Sequence, residues 1–175
     1  MQATNNQQPM IILGFDPGRD KCGLAVMESG DKGWGSPLAP LSKGGKRKGG
    51  ERKRGEKKKG KKILLYNQVV IAEEVLDKIS SLIAEFSVDL VVMGDQTTAK
   101  FWQKKLEQII PKSFRIVLVD ERNSSLEARD RYWQMYPPQG LSKLIPQGMR
   151  LPPRPVDDIV AILLIERYLL TVFGC

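Results

Sequence analysis

Hydrophobic positions along the chain fall into short apolar runs and longer segments with helical spacing. Five short runs are rich in Ile, Val and Leu, which is typical of strands; they cover residues 10–16, 22–28, 63–70, 90–93 and 116–119. Four longer segments have the spacing of an amphipathic helix or are apolar throughout; they cover residues 71–86, 97–110, 124–136 and 156–172. Three strands followed by strand–helix alternation predict an α/β fold with a mixed sheet.

The connections between these runs predict how the strands are arranged. Residues 17–20 form a tight turn between the first two runs, so a hairpin is the economical connection. The runs at 90–93 and 116–119 lack polar alternation, as expected for parallel strands covered on both faces. We therefore expect one domain over residues 1–175, with a five-stranded sheet flanked by helices. Its first three strands are antiparallel and its last two are parallel.

A basic insertion interrupts the pattern at about residues 30–62. It has no hydrophobic periodicity and is rich in Gly, Pro, Lys and Arg, which predicts a flexible segment. Residues 43–62, called the basic segment below, contain twelve Lys or Arg and two Glu, a local charge of +10 against +8 for the whole chain. The rest of the chain is therefore close to neutral.

The chain contains no histidine, which excludes Ser-His-Asp and Cys-His catalysis, histidine metal ligands and histidine general bases. Acid–base and metal chemistry must then depend mainly on Asp and Glu, whose oxygen atoms favour Mg²⁺ or Mn²⁺. Two cysteines, a polar N-terminus and the lack of a long apolar stretch predict a soluble cytoplasmic protein without a membrane span.

Acidic residues recur at the ends of predicted strands and at the start of the last helix: Asp16, Asp95, Asp120, Glu121, Asp157 and Asp158. In open α/β sheets, ligands bind beyond the carboxyl ends of the parallel strands. Carboxylates gathered there repel one another, and a pair of divalent ions removes that penalty and aligns the groups of a phosphodiester hydrolysis. We therefore predict a catalytic site of Asp16, Asp95, Glu121 and Asp157, with metal ligands among Asp16, Asp95, Asp157 and Asp158.

Each of these acids also has a simpler explanation. Asp16 precedes Pro-Gly and can start a turn, Asp95 can cap a helix, and Glu121 can pair with a neighbouring arginine. Asp157 and Asp158 can complement the positive end of a helix macrodipole. The recurrence of acids at successive strand ends favours a shared site over these separate explanations.

Three motifs resemble those of the YqgF, or RuvX-type, nucleases, which are RNase H-like proteins related to the RuvC Holliday junction resolvase. Phe15-Asp16-Pro17-Gly18, followed by Gly23-Leu24-Ala25-Val26, resembles the family's opening motif. Val119-Asp120-Glu121-Arg122, with Ser125, Glu127 and Ala128 behind it, resembles the D-E-R signature. Val156-Asp157, followed by an apolar helix and Glu166-Arg167-Tyr168, resembles the closing segment.

The resemblance implies an RNase H-like fold and Mg²⁺- or Mn²⁺-dependent cleavage of nucleic acid. It implies that Asp16 is the first metal-binding aspartate, Glu121 the glutamate of the D-E-R motif and Asp157 the aspartate of the final helix. The implied role is the trimming of precursor 16S ribosomal RNA, with Holliday junction resolution as the older assignment. A resolvase would need a homodimer to cut two strands symmetrically, whereas an RNA-trimming enzyme would not.

The chain departs from the family in two places. Gly94-Asp95-Gln96 stands where the family usually has Gly-Leu-Pro, so Asp95 would occupy the place of a catalytic glutamate in RuvC-type enzymes. The basic segment is not a usual family feature, and its cations predict salt-sensitive binding of nucleic acid without sequence preference. The predicted nucleic-acid contacts are Lys46, Arg47, Lys48, Arg52, Lys53, Arg54, Lys57, Lys58, Lys59 and Arg122.

Two other functions compete with the nuclease. A non-catalytic nucleic-acid-binding protein on a degenerate nuclease fold would keep the basic segment and lose the chemistry. An actin-like or sugar-kinase-like ATPase also begins with D-x-G and a hairpin, although 175 residues are far too few for its two lobes. Metal-dependent cleavage that is lost in Asp16→Asn would distinguish the nuclease from both.

Overall fold

The computed structural model describes residues 9–29, 42–43, 62–111 and 114–173. Most of the predicted insertion at 30–62, including its nine predicted nucleic-acid contacts, lies outside these ranges. The strands are β1 (Ile11–Asp16), β2 (Lys21–Glu28), β3 (Ser42–Lys43), β4 (Ile63–Ile71), β5 (Leu90–Gly94) and β6 (Arg115–Val119). The helices are α1 (Val75–Phe86), α2 (Ala99–Ile109), α3 (Ser124–Met135) and α4 (Asp157–Phe173), with two 3-10 turns between α3 and α4.

The strands form one mixed sheet in the order β3-β4-β2-β1-β5-β6. The β1–β2 and β2–β4 pairs are antiparallel, whereas β1–β5 and β5–β6 are parallel. This order and these directions are those of the RNase H-like fold, so the predicted fold class and the five predicted strands are confirmed. The two-residue strand β3 was not predicted; it pairs with the start of β4 in parallel.

Two apolar cores, one on each face of the sheet, explain why the central strands lack polar alternation. Along β1 and β5, residues such as Leu13 and Met93 pack against α1 and α2, while Ile12 and Val92 pack against α3 and α4. Successive side chains point to opposite faces of a strand, so a strand with both faces covered is apolar at every position. This holds for β5, but the prediction that 116–119 is covered on both faces is wrong: β6 is the edge strand, and its Leu118 is 46% exposed.

Two glycines let α4 approach the sheet closely. A Cβ added to Gly14 in β1 would overlap the carbonyl oxygen of Ala161, and one added to Gly23 in β2 would overlap the carbonyl oxygen of Asp157. The backbone of α4 therefore lies where side chains of the sheet would otherwise be. This close packing places the first residue of α4 beside the paired residues Asp16 and Gly23.

A buried ion network joins α3, α4 and the residue that precedes β4. Glu166 is 1% exposed, and its Oε1 accepts hydrogen bonds from Lys62 Nζ at 3.1 Å and Arg131 Nη2 at 3.0 Å. Burial raises the pKa of Glu166 and lowers that of Lys62, while the opposite charges counter both shifts. Lys62 is therefore part of the core, which corrects the prediction that the flexible insertion extends to residue 62.

The predicted start of the first helix at residue 71 is also wrong. Ile71 is the last residue of β4 and is exposed, and a turn at 72–74 separates it from α1. Ile71 continues the apolar spacing of Val75 and Ile79 by coincidence, so periodicity alone assigned it to the helix. No helix in the described ranges is both long enough and apolar enough to span a membrane.

Candidate active site

The four predicted catalytic acids lie at one edge of the sheet. Asp16 ends β1, Asp95 follows β5 and Glu121 follows β6, and these three strands run parallel with their carboxyl ends at the same edge. Asp157 is the first residue of α4, which packs across β1 and β2 at this edge. We call Asp16, Asp95, Glu121 and Asp157 the acidic cluster.

Asp16 has the most strongly perturbed carboxyl group of the cluster. Its pKa is raised from 3.8 to about 8, first by burial and then by the negative charges of Glu121 and Asp157. A hydrogen bond between the carboxyl groups of Asp16 and Glu121 raises it further. Without a cation, this site therefore favours a protonated Asp16 at neutral pH.

Glu121 is buried beside Asp16 because Gly94 leaves room for it. A Cβ at Gly94 would overlap Glu121 Oε2, so a larger residue there would displace the carboxylate. Glu121 is 7% exposed, and its Oε2 has no hydrogen-bond partner among the described residues. Burial and the charge of Asp95 raise the pKa of Glu121, while the backbone N–H of Gln96 lowers it.

Asp95 is exposed and lies at the rim of the cluster. Its Oδ1 accepts a long hydrogen bond of 3.4 Å from the backbone N–H of Glu121. The backbone N–H of Asp95 in turn donates to the carbonyl of Val119, so the ends of β5 and β6 hold the two acids next to each other.

Asp158 is turned away from the acidic cluster, although it follows Asp157 directly. Its carboxylate accepts hydrogen bonds from Arg154 Nη1 at 2.8 Å and Nη2 at 3.1 Å, and from Asn67 Nδ2 at 2.5 Å. Both oxygens are thus used by neighbours on β4 and on the loop before α4. Of the two adjacent aspartates, the structure brings only Asp157 to Asp16.

The turn after Asp16 is held by α2. Thr98 Oγ1 donates to the carbonyl of Pro17 at 2.7 Å, and Trp102 Nε1 donates to the carbonyl of Gly18 at 3.1 Å. These positioning contacts join residues more than 80 positions apart. Sequence reasoning missed them, since no local pattern connects Thr98 to a turn in the first hairpin.

Asp120 and Arg122 form an exposed pair at the outer side of the cluster. Arg122 Nη2 lies 2.8 Å from Asp120 Oδ2, and Arg122 lowers the pKa of Asp120 to about 2 through hydrogen bonds. Arg167 donates to the backbone carbonyls of both residues. The Arg122 side chain is 84% exposed, so this predicted nucleic-acid contact is accessible beside the acids.

The residues of the cluster fit a divalent cation by their chemistry. They supply only oxygen donors, their charges repel one another, and Glu121 Oε2 is a buried oxygen without a partner. Within the described ranges, no group of three acidic, cysteine or histidine side chains stands in ligand geometry. The assignment of Asp16, Asp95, Asp157 and Asp158 as metal ligands therefore stays a prediction, and Asp158 is engaged elsewhere.

The described ends of the basic segment lie at the opposite end of the strands from the cluster. Ser42 and Lys43 pair with Ile63 and Leu64, and Ile63 pairs with Glu28 at the far end of β2 from Gly23. Glu28 is five positions after Gly23 in β2, which corresponds to about 17 Å at ~3.4 Å per residue. The segment is thus attached about 17 Å from Asp16 along the strand direction.

No protein-family model matches the chain, and no curated protein matches its sequence. Among solved structures, the chain is similar to the RuvC structure of Thermus thermophilus. The two share 15% sequence identity at a TM-score of 0.49, over 94% of this chain and 97% of that one. The RNase H-like assignment follows from the strand order and directions described above.

Proposed function

We propose that this chain is a nuclease that hydrolyses phosphodiester bonds of structured nucleic acid with Mg²⁺ or Mn²⁺ at the acidic cluster. The observation that carries the proposal is the convergence of half-buried Asp16 and Asp157 with buried Glu121 on one spot, where Asp16 has a pKa of about 8. If these acids had only a structural role, no positive charge would compensate the repulsion between them. A cation-binding role explains why several acids are kept together.

The position of each residue indicates its role in cation binding, positioning or phosphate contact. Asp16, Glu121 and Asp157 would hold the cation, with Asp95 at the exposed rim where substrate enters. When bound, a divalent cation neutralises charge on the phosphate and makes a water molecule more acidic. Thr98 and Trp102 fix the turn after Asp16, and Gly94 keeps the space that Glu121 fills. Arg122 would contact a phosphate outside the acids.

Two substrate classes are consistent with this site: precursor 16S ribosomal RNA and a four-way DNA junction. The test is a side-by-side cleavage assay of the purified protein on both, with Mn²⁺, with Mg²⁺ and with EDTA. We expect cleavage of at least one substrate with either metal and none in EDTA. Cleavage of the junction alone, by a dimer, would assign a resolvase; cleavage of the RNA alone would assign a processing nuclease.

The competing functions predict different results in the same assay. Metal-independent binding without cleavage of either substrate would favour the non-catalytic binding protein. Metal-dependent ATP hydrolysis without nuclease activity would favour the ATPase. In this assay the test variant is Asp16→Asn. Asp120→Asn is a suitable control for it, because Asp120 is an exposed neighbour that pairs with Arg122 outside the cluster.

Deletion of residues 44–61 is expected to weaken nucleic-acid binding. Because log affinity falls with log salt in proportion to the phosphates neutralised, the deletion should also flatten the salt dependence. Lys43 and Lys62 are retained, since Lys43 pairs in β3 and Lys62 pairs with Glu166 in the core. Fluorescence anisotropy with a labelled duplex at 50 to 300 mM KCl, roughly the range over which such contacts weaken, measures both effects.

A matched control keeps the length of this segment and removes only its charge. Residues 44–61 are replaced by the same number of Gly and Ser residues, so that chain length and the β3–β4 pairing are kept. The replacement should behave as the deletion does. Affinity and salt slope equal to those of the wild type in both variants would contradict a binding role for the basic segment.

A further inference from the structure

The loop between α3 and α4 presents an unusual number of large apolar side chains to solvent. Leu141 is 83% exposed, Leu144 80%, Met149 74% and Leu151 72%. Ile145 is a fifth, at 45%. Isolated apolar residues on a surface are ordinary, but five within eleven positions are a concentration that indicates an interaction site. We call residues 140–151 the apolar loop.

Hydrogen bonds within the fold hold this loop in shape. Arg150 Nε donates to the carbonyl of Ile145, and Arg150 Nη2 donates to the carbonyl of Lys143 at 3.0 Å. Trp133 Nε1 on α3 donates to the carbonyl of Arg150 at 3.2 Å. Two 3-10 turns, Gly140–Leu144 and Gln147–Met149, account for most of the remaining backbone. The apolar side chains are therefore presented by an ordered backbone.

The loop is followed, after a short connection, by the first residue of α4, which belongs to the acidic cluster. Leu151 is six residues before Asp157, within about 20 Å even for a fully extended chain. Arg154, between them, binds Asp158 through two hydrogen bonds and lies over the rings of Tyr132 and Tyr136. The path from the loop to the cluster is thus fastened to both α3 and α4.

The charge around the apolar side chains selects a polyanionic partner. Residues 137–155 contain three cations and no acidic residue. Arg150 is bonded to carbonyls of the loop and Arg154 to Asp158, so the cation that faces a partner is Lys143. Lys143 is exposed beside Leu144, where it could pair with a phosphate. Apolar side chains flanked by cations are the arrangement with which proteins insert Leu, Ile or Met between bases and hold the adjacent phosphates.

We infer that the apolar loop is a nucleic-acid recognition element in which Leu141 and Leu144 insert beside a weakly stacked base step. The ligand chemistry is a base step exposed by a branch, a bulge or a strand end, with flanking phosphates. Such steps cost less to unstack than steps in a regular duplex. That the ligand is a nucleic acid rests on the proposed function. The inference adds a physical reason why the substrate would be a structured nucleic acid.

The test uses the full chain in EDTA, so that binding is measured without cleavage. The probes carry the fluorescent base 2-aminopurine: a four-way DNA junction with the label at the crossover, an RNA stem with the label at a bulge, and a linear duplex. The variant is Leu141→Ser/Leu144→Ser. The control is Leu126→Ser, which removes another exposed leucine, 63% exposed, from α3.

We expect wild type and control to increase the fluorescence of at least one branched or bulged probe. The double variant should lose most of this increase and bind that probe about tenfold more weakly, with unchanged affinity for the linear duplex. A fluorescence increase with the RNA probe only, or with the DNA junction only, identifies which of the two nucleic acids the loop recognises. Thermal unfolding of all three proteins checks that the exposed substitutions preserve the fold.

Several outcomes would overturn the inference. No fluorescence increase with the wild type, an equal increase with the double variant, or an equal loss in the control would each do so. A wild-type dimer that becomes a monomer in the double variant, measured by sedimentation velocity, would make the loop a protein interface instead. Because every probe is read in EDTA, failure of the loop inference and failure of the nuclease proposal give different results.

Discussion

Asp16→Asn is expected to abolish metal-dependent cleavage and, in EDTA at pH 8, to make the protein more stable than the wild type. The loss of cleavage follows because the amide carries no charge to hold a cation. The gain in stability follows because the folded chain must keep a half-buried carboxyl group with a pKa of about 8 beside Glu121 and Asp157. Asn occupies the same space and never ionises.

The sign of the pH dependence follows from the direction of the shift. The pKa of Asp16 is near 3.8 in the unfolded chain and about 8 in the folded one, so the folded state binds its proton more tightly. Its contribution to stability is greatest below pH 3.8 and is lost as the pH rises toward about 8. At about 1.4 kcal/mol per pKa unit the upper limit is about 6 kcal/mol, and after local relaxation we expect about 2 kcal/mol at pH 8.

Urea denaturation at pH 5 and pH 8, with EDTA and with Mn²⁺, measures these effects. The advantage of Asp16→Asn should grow from pH 5 to pH 8, and Mn²⁺ should stabilise the wild type but not the variant. Asp158→Asn is the matched control, since it makes the same change at the acid that follows Asp157 in α4. It should destabilise the protein, in contrast to Asp16→Asn, by breaking the contacts with Arg154 and Asn67. Equal stabilisation of wild type and Asp16→Asn by Mn²⁺ would contradict metal binding at Asp16.

Gly23→Ala is expected to cost at least about 3 kcal/mol of unfolding free energy, because its new methyl group would overlap the backbone of α4. The overlapped atom is the carbonyl oxygen of Asp157, which cannot rotate away as a side chain could. The helix must therefore shift at the residue that faces Asp16. We expect the stabilisation by Mn²⁺ to decrease together with the stability.

Gly148→Ala is the control for this substitution. It adds the same methyl group to a position with no atom within 4 Å of the new Cβ. The control should unfold within about 0.5 kcal/mol of the wild type, as surface substitutions usually do. Two results would show that the close contact between α4 and β2 does not position Asp157. One is a Gly23→Ala protein with the same unfolding free energy as the control; the other is a Gly23→Ala protein that Mn²⁺ stabilises as much as it does the wild type.

Much of the fold was predictable because it depends on local patterns. Short apolar runs at 90–93 and 116–119 identified β5 and β6 to within one residue, because such runs are typical of strands in an α/β sheet. The acids at strand ends were predictable as a group because parallel strands end at a common edge. Neither inference needs information about contacts between distant residues.

The remaining features depend on such distant contacts. Asp157 and Asp158 are equivalent at the level of sequence, and the rotation of α4 that separates them is set by Arg154 and Asn67. The burial of Glu121 depends on the absence of a side chain at Gly94 on a neighbouring strand. Lys62 belongs to a charge run in the sequence, yet Glu166, 104 positions away, makes it a core residue.

The attachment of the basic segment has a consequence for how this protein could be altered. Residues 43 and 62 are held at the outer edge of the sheet, by β3–β4 pairing and by Glu166, at the opposite end of the strands from Asp16. What lies between them can therefore change in length or composition without disturbing the geometry of the acids. We therefore predict that residues 44–61 can be replaced as a unit, with an effect on nucleic-acid affinity and none on the arrangement of the acidic cluster.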